Sequence, residues 1–216
     1  MWNRNPKQPH ATWRYAGTYD VALATEGITD ALEAGDQMAD IHIDVVFSSV
    51  LSRAINTACI ALSKHHSGLS PLVVAKNGSY EDGMKTVAKL PPHCVMPIIC
   101  AAHLNERCFG DLEGVPSTEH TVKHTEKELS KMRNEFSSRF PGPDGESTED
   151  VYNRVVPYFN TNILPLLKAG QNVLLCSHGF AIRALVKYMD QMTDEEVREA
   201  RAGVCAGGLE DARGGH

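Results

Sequence analysis

A histidine directly follows a short apolar segment late in the chain. Residues 172–176 predict a buried strand, and the chain then passes through Ser177-His178-Gly179 into a predicted helix. In open α/β sheets, ligands bind at the carboxyl ends of the strands, and the first amides of a helix are unpaired donors that attract anions. Gly179 allows the backbone to pass close to a ligand. This junction therefore predicts an anion site, and phosphate is the anion that suits it best.

A second strand-to-helix junction carries an arginine. The apolar segment 43–47 leads into Ser48-Ser49, both good helix N-caps, and Arg53 is expected in the first turn of the next helix. A guanidinium beside free helix amides can hold a phosphate through two parallel hydrogen bonds. A surface arginine on an ordinary helix is the alternative interpretation.

A third segment adds a carboxylate. After a predicted strand at 95–100, the Gly-bounded loop 104–114 places Glu106 beside Arg107. Glu106 has the chemistry of a general acid or base, although a loop ion pair would explain the same two residues. Taken together, the three segments indicate phosphoryl chemistry.

The composition is typical of one soluble globular domain: 216 residues, 42% hydrophobic and 22% charged. A net charge of −6 leaves no basic surplus that would indicate nucleic acid or an anionic membrane as a partner. No apolar segment approaches the roughly 20 residues of a membrane span, and the N-terminus lacks the pattern of a signal peptide. The six cysteines form no close metal-binding pair, so we interpret them as reduced thiols and predict a cytoplasmic protein.

Predicted strands alternate with predicted helices along the chain. This alternation predicts an α/β fold, a three-layer sandwich in which helices flank a mainly parallel sheet. Ser147 and Asp150 have the spacing of a capping box at the start of a long helix. The longer helices are expected at about 25–40, 50–65, 118–137 and 147–168.

We expect residues 1–200 to form a single domain of this kind. Residues 67–94 contain Gly, Pro, Ser and Lys and are expected to be a surface insertion. The Gly- and Ala-rich residues 201–216 are expected to be a disordered tail. Such domains usually begin with a buried strand, whereas the first predicted strand here starts at residue 43, so the N-terminal strand is expected to be missing.

Four motifs in this order resemble the histidine phosphatase superfamily, and most closely its 2,3-bisphosphoglycerate-dependent phosphoglycerate mutase branch. They are Ser49-Val50-Leu51-Ser52-Arg53-Ala54, Leu104-Asn105-Glu106-Arg107, Gly145-Glu146-Ser147 and Ser177-His178-Gly179. The resemblance implies interconversion of 3- and 2-phosphoglycerate through a phosphohistidine. It further implies 2,3-bisphosphoglycerate as the phosphoryl primer, no metal and a small phosphorylated substrate as the partner, and it allows a homo-oligomer.

The resemblance also implies roles for individual residues. His178 would stabilise the charge during transfer, Arg53 would clamp the phosphate, and Glu106 would shuttle the proton to and from the leaving oxygen. The implied substrate-binding residues are Asn3, Gly17, Arg107, Phe109, Arg133 and Gly179.

The chain also departs from the family pattern. The family places an opening strand and an Arg-His-Gly-Glu-Ser motif just before a Trp-Asn pair, and here Trp2-Asn3 stands at the start. The phosphate-accepting histidine is thus expected to be missing, which predicts very low transfer activity for this polypeptide. A mis-started or truncated active enzyme and a diverged inactive relative both remain open as explanations.

Substitutions around the predicted pocket leave three functions open. Ala16 stands where the family has a threonine, Phe109 replaces a tyrosine, Ser117 a lysine and Asn134 the second of two arginines. These changes weaken the prediction of a mutase, and Phe109, Ser117 and Asn134 favour a phosphatase that acts on a small phosphomonoester, because a looser pocket admits water as the acceptor. The missing nucleophile favours a third reading, a phospholigand-binding protein without turnover.

For four further residues the sequence gives no strong functional prediction. His120 and His124 have a spacing that metals accept, but a solvated helix face explains them better. Arg183 is predicted to be a surface or ion-paired residue. His103 precedes the Glu106 loop and is a weaker candidate for lining the pocket.

Overall fold

Four parallel strands form the central sheet of a computed structural model that describes residues 14–91 and 93–199. Their order across the sheet is β2-β3-β1-β4. The α/β class and the parallel sheet are confirmed, and the three strands predicted at 43–47, 95–100 and 172–176 lie within two residues of those observed. The strands are β1 (Val45–Ser48), β2 (Ser70–Lys76), β3 (Val95–Cys100) and β4 (Val173–Cys176).

Helices cover both faces of this sheet. They are α1 (Thr25–Gln37), α2 (Ser52–Leu62), α3 (Tyr80–Val87), α4 (Ser117–Lys123), α5 (Glu126–Asn134), α6 (Thr148–Tyr158), α7 (Leu164–Lys168), α8 (Gly179–Met189) and α9 (Asp194–Glu199). No helix in the described part of the chain is both long enough and apolar enough to cross a membrane.

The alternation of side chains along β1 assigns the two faces. Val45 and Phe47 pack into a cluster with residues of α6 and α8, such as Val155 and Leu185. Val46, one residue on, points to the opposite face and joins a cluster with residues of α2. Since β1 is buried on both faces, it reads as a continuous apolar run rather than an alternating one. The sandwich therefore has the three predicted layers.

The prediction that residues 67–94 are a surface insertion is wrong. They contain β2, which pairs with β3 from Ser70↔Val95 to Lys76↔Cys100, and α3, which packs on the sheet at Gly83. A side chain at Gly83 would come within 2.9 Å of Ile99. The segment contains an apolar run at 71–75, but its Gly, Pro, Ser and Lys residues obscured the strand, and β2 at the sheet edge buries only Val74. Residues 201–216 lie outside the described part.

Two predicted helices are divided. The segment 118–137 forms α4 and α5, because Thr125 starts a new helix with a capping box to Glu128. The segment 147–168 contains Pro157, which has no amide to donate, and one π-helical turn at Phe159–Ile163. The Ser147–Asp150 capping box at the start of α6 is confirmed.

Candidate active site

A cavity of about 640 Å³ opens at the carboxyl ends of β1, β3 and β4. It brings together every predicted site residue that lies in the described part of the chain. Asn3 is not in the described part of the chain. The lining residues are Arg14, Tyr15, Ala16, Gly17, Arg53, Glu106, Arg107, Phe109, Arg133, His178, Gly179, Phe180 and Arg183.

His178 occupies the N-cap position of α8 and is buried, with 8% of its surface exposed. Its Nε2 lies 2.7 Å from the hydroxyl of Ser49. The pKa of His178 is lowered to about 3. Burial is the largest cause, and the positive charges of Arg53 and Arg154 add to it. The imidazole is therefore neutral near pH 7. Ser49 binds this ring and does not cap α2, whose N-cap residue is Leu51.

Arg53 lies in the first turn of α2, as predicted, and lines the cavity rather than the outer surface. Its Nη1 donates to the carbonyl of Tyr19 at 2.9 Å and its Nη2 to the carbonyl of Gly17 at 2.7 Å. Burial lowers the pKa of Arg53, and the nearby carboxylates oppose that shift. Asp20 accepts hydrogen bonds from the amide and the hydroxyl of Ser52 and so caps α2 from outside the helix.

Glu106 extends its carboxylate to the start of α8. Its Oε1 accepts hydrogen bonds from the amide of Arg107 at 2.9 Å and from the amide of Phe180 at 3.2 Å. A Cβ at Gly179 would lie 3.9 Å from Oε2, so the carboxylate passes directly beside this glycine. One of the helix amides predicted to attract an external anion thus binds this carboxylate instead.

Arg107 is fully buried among aromatic rings. Its guanidinium lies 3.6 Å from the ring centroid of Phe180, with Phe140 at 4.7 Å and Phe109 at 5.3 Å. Its Nη1 donates to the hydroxyl of Thr148 at 3.1 Å and to the carbonyl of Met132 at 3.3 Å. The guanidinium therefore has a fixed plane and direction.

The other donors of Arg107 are unsatisfied. Nε and Nη2 are buried and have no hydrogen-bond partner among the described residues. Desolvation is the largest cause that lowers the pKa of Arg107, to about 10, so the group stays positive at neutral pH. Leaving a buried donor unpaired costs about 1–3 kcal/mol, which makes these two donors the best candidates for binding an anionic ligand.

Glu113, which sequence reasoning missed, links two sides of the cavity. Its Oε1 accepts the amides of Thr18 at 2.8 Å and Phe109 at 2.9 Å, and its Oε2 accepts the Thr18 hydroxyl. Gly17 has a φ of +50°, and a Cβ there would lie 1.8 Å from Oε1 of Glu113. Both observations require glycine at this position.

Arg14, Tyr15, Phe180 and Arg183 were also missed. Arg183, which was predicted to be a surface or ion-paired residue, lines the cavity, 4.9 Å from the Phe180 ring. A sequence signal existed: Arg183 follows Gly179 by four residues and so lies on the same face of α8.

His120 takes another place than predicted, and His103, the weaker candidate, does not line the cavity. His120 is buried, and its Nε2 hydrogen-bonds the carbonyl of Val115 at 2.9 Å, which corrects the prediction of a solvated face. Among the described residues, no group of three or more His, Cys, Asp or Glu side chains could hold a metal. His103 stacks on Tyr158 and lies in a different cavity.

The parallel sandwich carries, at its carboxyl edge, a cavity lined by arginines, His178 and Glu106, and this arrangement suits phosphoryl chemistry. The sequence profile of the histidine phosphatase superfamily (branch 1) matches residues 7–76 and 83–207. This chain belongs to that superfamily.

Two relatives that resemble this chain in sequence are phosphoglycerate mutases. The chain is 33% identical over 184 residues to a 2,3-bisphosphoglycerate-dependent phosphoglycerate mutase of Protochlamydia amoebophila, covering 85% of this chain and 80% of that protein. It is 34% identical over 191 residues to 2,3-bisphosphoglycerate-dependent phosphoglycerate mutase 1 of Arabidopsis thaliana, covering 85% of this chain. Against the Arabidopsis relative it spans only about half the length, 54%.

Solved structures support the fold. A mycobacterial glucosyl-3-phosphoglycerate phosphatase superposes with a TM-score of 0.62 at 19% identity, covering 86% of this chain and 76% of that one. The alpha-ribazole phosphatase of Shigella flexneri superposes with a TM-score of 0.59 at 21% identity, covering 86% of this chain and 76% of that one.

Proposed function

We propose that this chain is of the phosphoglycerate mutase type, whose reaction interconverts 3- and 2-phosphoglycerate through a phosphohistidine in glycolysis and gluconeogenesis. The sequence as given holds no Arg-His-Gly motif to supply the phosphate-accepting histidine, so its own turnover is expected to be impaired. The observation that carries the proposal is the buried guanidinium of Arg107, which has two unpaired donors and belongs to the lining of the cavity that Glu106 and His178 share. The sequence similarity to the two mutases supports the same reaction.

The arginines of the cavity suit a substrate with two anionic groups. Arg53 lies next to His178, and its charge contributes to the low pKa of that imidazole. Arg107 and Arg133 line the same cavity and suit a second anionic group such as a carboxylate. 2,3-bisphosphoglycerate, which supplies the priming phosphoryl group when bound, would be held by this same set of arginines.

Proton transfer falls to Glu106. Its carboxylate accepts two backbone amides and therefore keeps a fixed position at the start of α8. From there it can receive the proton of the attacking hydroxyl and return it to the leaving oxygen. Neutral His178 and the guanidinium of Arg53 lie where negative charge on the transferring group would need stabilisation.

A phosphatase that acts on a small phosphomonoester is the second candidate. Phe109 supports it, because its ring stacks on Tyr15 at 4.2 Å and gives this wall of the cavity an apolar surface instead of a hydroxyl. A wall that binds the substrate less tightly would admit water as the phosphoryl acceptor. Phospholigand binding without turnover is the third candidate.

A paired assay separates the three candidates. The chain as given, and one extended at its N-terminus by a family-like strand with Arg-His-Gly-Glu-Ser, would each receive 3-phosphoglycerate with catalytic 2,3-bisphosphoglycerate, and separately p-nitrophenyl phosphate. We expect isomerisation that outruns hydrolysis, carried mainly by the extended chain. Hydrolysis alone would support the phosphatase. Calorimetric binding of 2,3-bisphosphoglycerate without turnover in either chain would support the binding protein and contradict the proposal.

A further inference from the structure

One ion pair lies directly behind the loop that carries Glu106. Arg154 on α6 donates from Nε to Oε1 of Glu146 at 2.8 Å and from Nη2 to Oε2 at 2.9 Å. The two side chains are 21% and 20% exposed, so water weakens this bidentate pair only partly.

The same guanidinium also binds the loop backbone. Nη1 of Arg154 donates to the carbonyls of His103 at 2.7 Å and Asn105 at 3.0 Å, and Nη2 donates to the carbonyl of Glu106 at 3.0 Å. A planar group with five N–H donors fits such a set of acceptors, and an ammonium group does not.

Glu146 binds the loop on the far side of Glu106. Its Oε2 accepts the amide of Cys108 at 2.9 Å, and its own amide donates to the carbonyl of Cys108 at 2.9 Å. The backbone is therefore held by one ion pair both before and after Glu106, from residue 103 to residue 108.

This arrangement fixes the Glu106 carboxylate as well as the backbone. At its other end, the side chain binds the amides of Arg107 and Phe180. A shift of the loop away from α6 would move the carboxylate relative to the start of α8 and to His178. A displacement of 1 Å at a reacting group can cost about 10²-fold in rate.

We propose that Arg154 and Glu146 are positioning residues that hold the Glu106 carboxylate against the first amides of α8. The positioning stands on the contacts alone, and only its consequence for turnover rests on the proposed function.

Amide hydrogen exchange measured by NMR on the full chain tests the positioning without any need for turnover. In Arg154→Lys, we expect the amide of Phe180, which binds Glu106, to exchange about tenfold faster, with core amides such as that of Ile98 unchanged. Arg139→Met is the matched control, because Arg139 also binds a loop carbonyl, that of Gly145, and pairs with Asp150 on α6 without contacting residues 103–108. It should leave the Phe180 amide unaffected.

A double-mutant cycle distinguishes positioning from general support. Glu106→Ala removes the acceptor, so adding Arg154→Lys to it should not accelerate exchange at Phe180 any further. Glu146→Gln provides a second variant in case the lysine variant folds poorly. Unchanged exchange at Phe180, exchange that rises equally throughout the core, additive effects in the cycle, or the collapse of both single variants would each overturn the proposal.

Turnover gives a separate readout in whichever chain shows activity. We expect Arg154→Lys to lower kcat by about 10²-fold with little change in KM, and to have no further effect in Glu106→Gln. Suppose that Arg154→Lys accelerates amide exchange at Phe180 but leaves kcat unchanged in an active chain. The positioning of Glu106 would then be supported, and the role of Glu106 in the proposed function would be contradicted. Normal exchange at Phe180 would overturn the positioning, whatever the activity.

Discussion

Arg53 and Arg107 line the same cavity but differ in what they bind. Arg53 donates to the carbonyls of Gly17 and Tyr19 and so holds a neighbouring loop. Arg107 is enclosed by aromatic rings and keeps two donors without a partner among the described residues. Two arginines that line the same cavity therefore have different partners. We infer that Arg53 both holds the wall of the cavity through these two carbonyls and faces the transferring group, whereas Arg107 is chiefly part of the binding surface.

The largest expected effect comes from Arg107→Met. Affinity for 2,3-bisphosphoglycerate, measured by calorimetry, should fall by about 10²-fold, because charge-assisted hydrogen bonds from buried donors are lost. The melting temperature should not fall, because the change removes a desolvated charge whose donors are only partly paired. Arg139→Met again serves as the control with normal affinity. A large loss of stability with normal affinity would reverse the assignments of the two arginines.

How far the sequence predicts this difference depends on chain distance. Residue types and strand-to-helix junctions place Arg53, Glu106 and His178 at one sheet edge, and the structure confirms that they share one cavity. The carbonyls that Arg53 binds lie 34 and 36 residues away along the chain, and no local pattern reports such a pairing.

Burial sets a second limit on prediction from sequence. Arginine is normally exposed, so nothing in Leu-Asn-Glu-Arg indicates that Arg107 is fully buried beneath Phe180. The strand β2 was missed for another reason: its apolar run at 71–75 is short, and the Gly, Pro, Ser and Lys residues around it favour a loop. Positions that follow local rules were predictable, whereas positions that depend on distant partners were not.

The titration of His178 provides the next prediction. Its pKa in the folded state is about 3, below the value of about 6.5 in an unfolded chain, so the unfolded state binds more protons between these pH values. The contribution of neutral His178 to the free energy of unfolding is complete above pH 6.5. It is lost as the pH falls towards 3, by about 1.4 kcal/mol per pH unit. Urea unfolding across this range should show this contribution added to that of carboxylates whose pKa is lowered in the folded state, such as Asp150, and His178→Asn should reduce the slope by the contribution of the imidazole. An equal slope in the variant would contradict a buried neutral imidazole.

Glu113→Ala tests the loop around Thr18, which Arg53 binds through its carbonyls and Glu113 binds through its amide and hydroxyl. It removes the acceptor of the Thr18 amide and hydroxyl, so that amide should exchange with solvent about tenfold faster. Glu113→Gln keeps one acceptor oxygen and should restore most of the protection. We expect only a small change in ligand affinity, because Arg107 keeps its position. A loss of affinity as large as that in Arg107→Met would show that the loop, rather than Arg107, governs binding.

The smallest expected effect separates the two arginines through a third residue. Arg53 is among the charges that lower the pKa of His178, second to burial, whereas Arg107 is not among those causes. Arg53→Met should therefore raise the pKa of His178, while Arg107→Met should leave it in place, as followed by NMR titration of the imidazole. Because burial remains in both variants, the imidazole should stay neutral at pH 7 in each. An upward shift of the His178 pKa in Arg107→Met alone would mean that the charge acting on the imidazole is that of the binding surface. The assignment of Arg53 to the wall and of Arg107 to the binding surface would then be wrong.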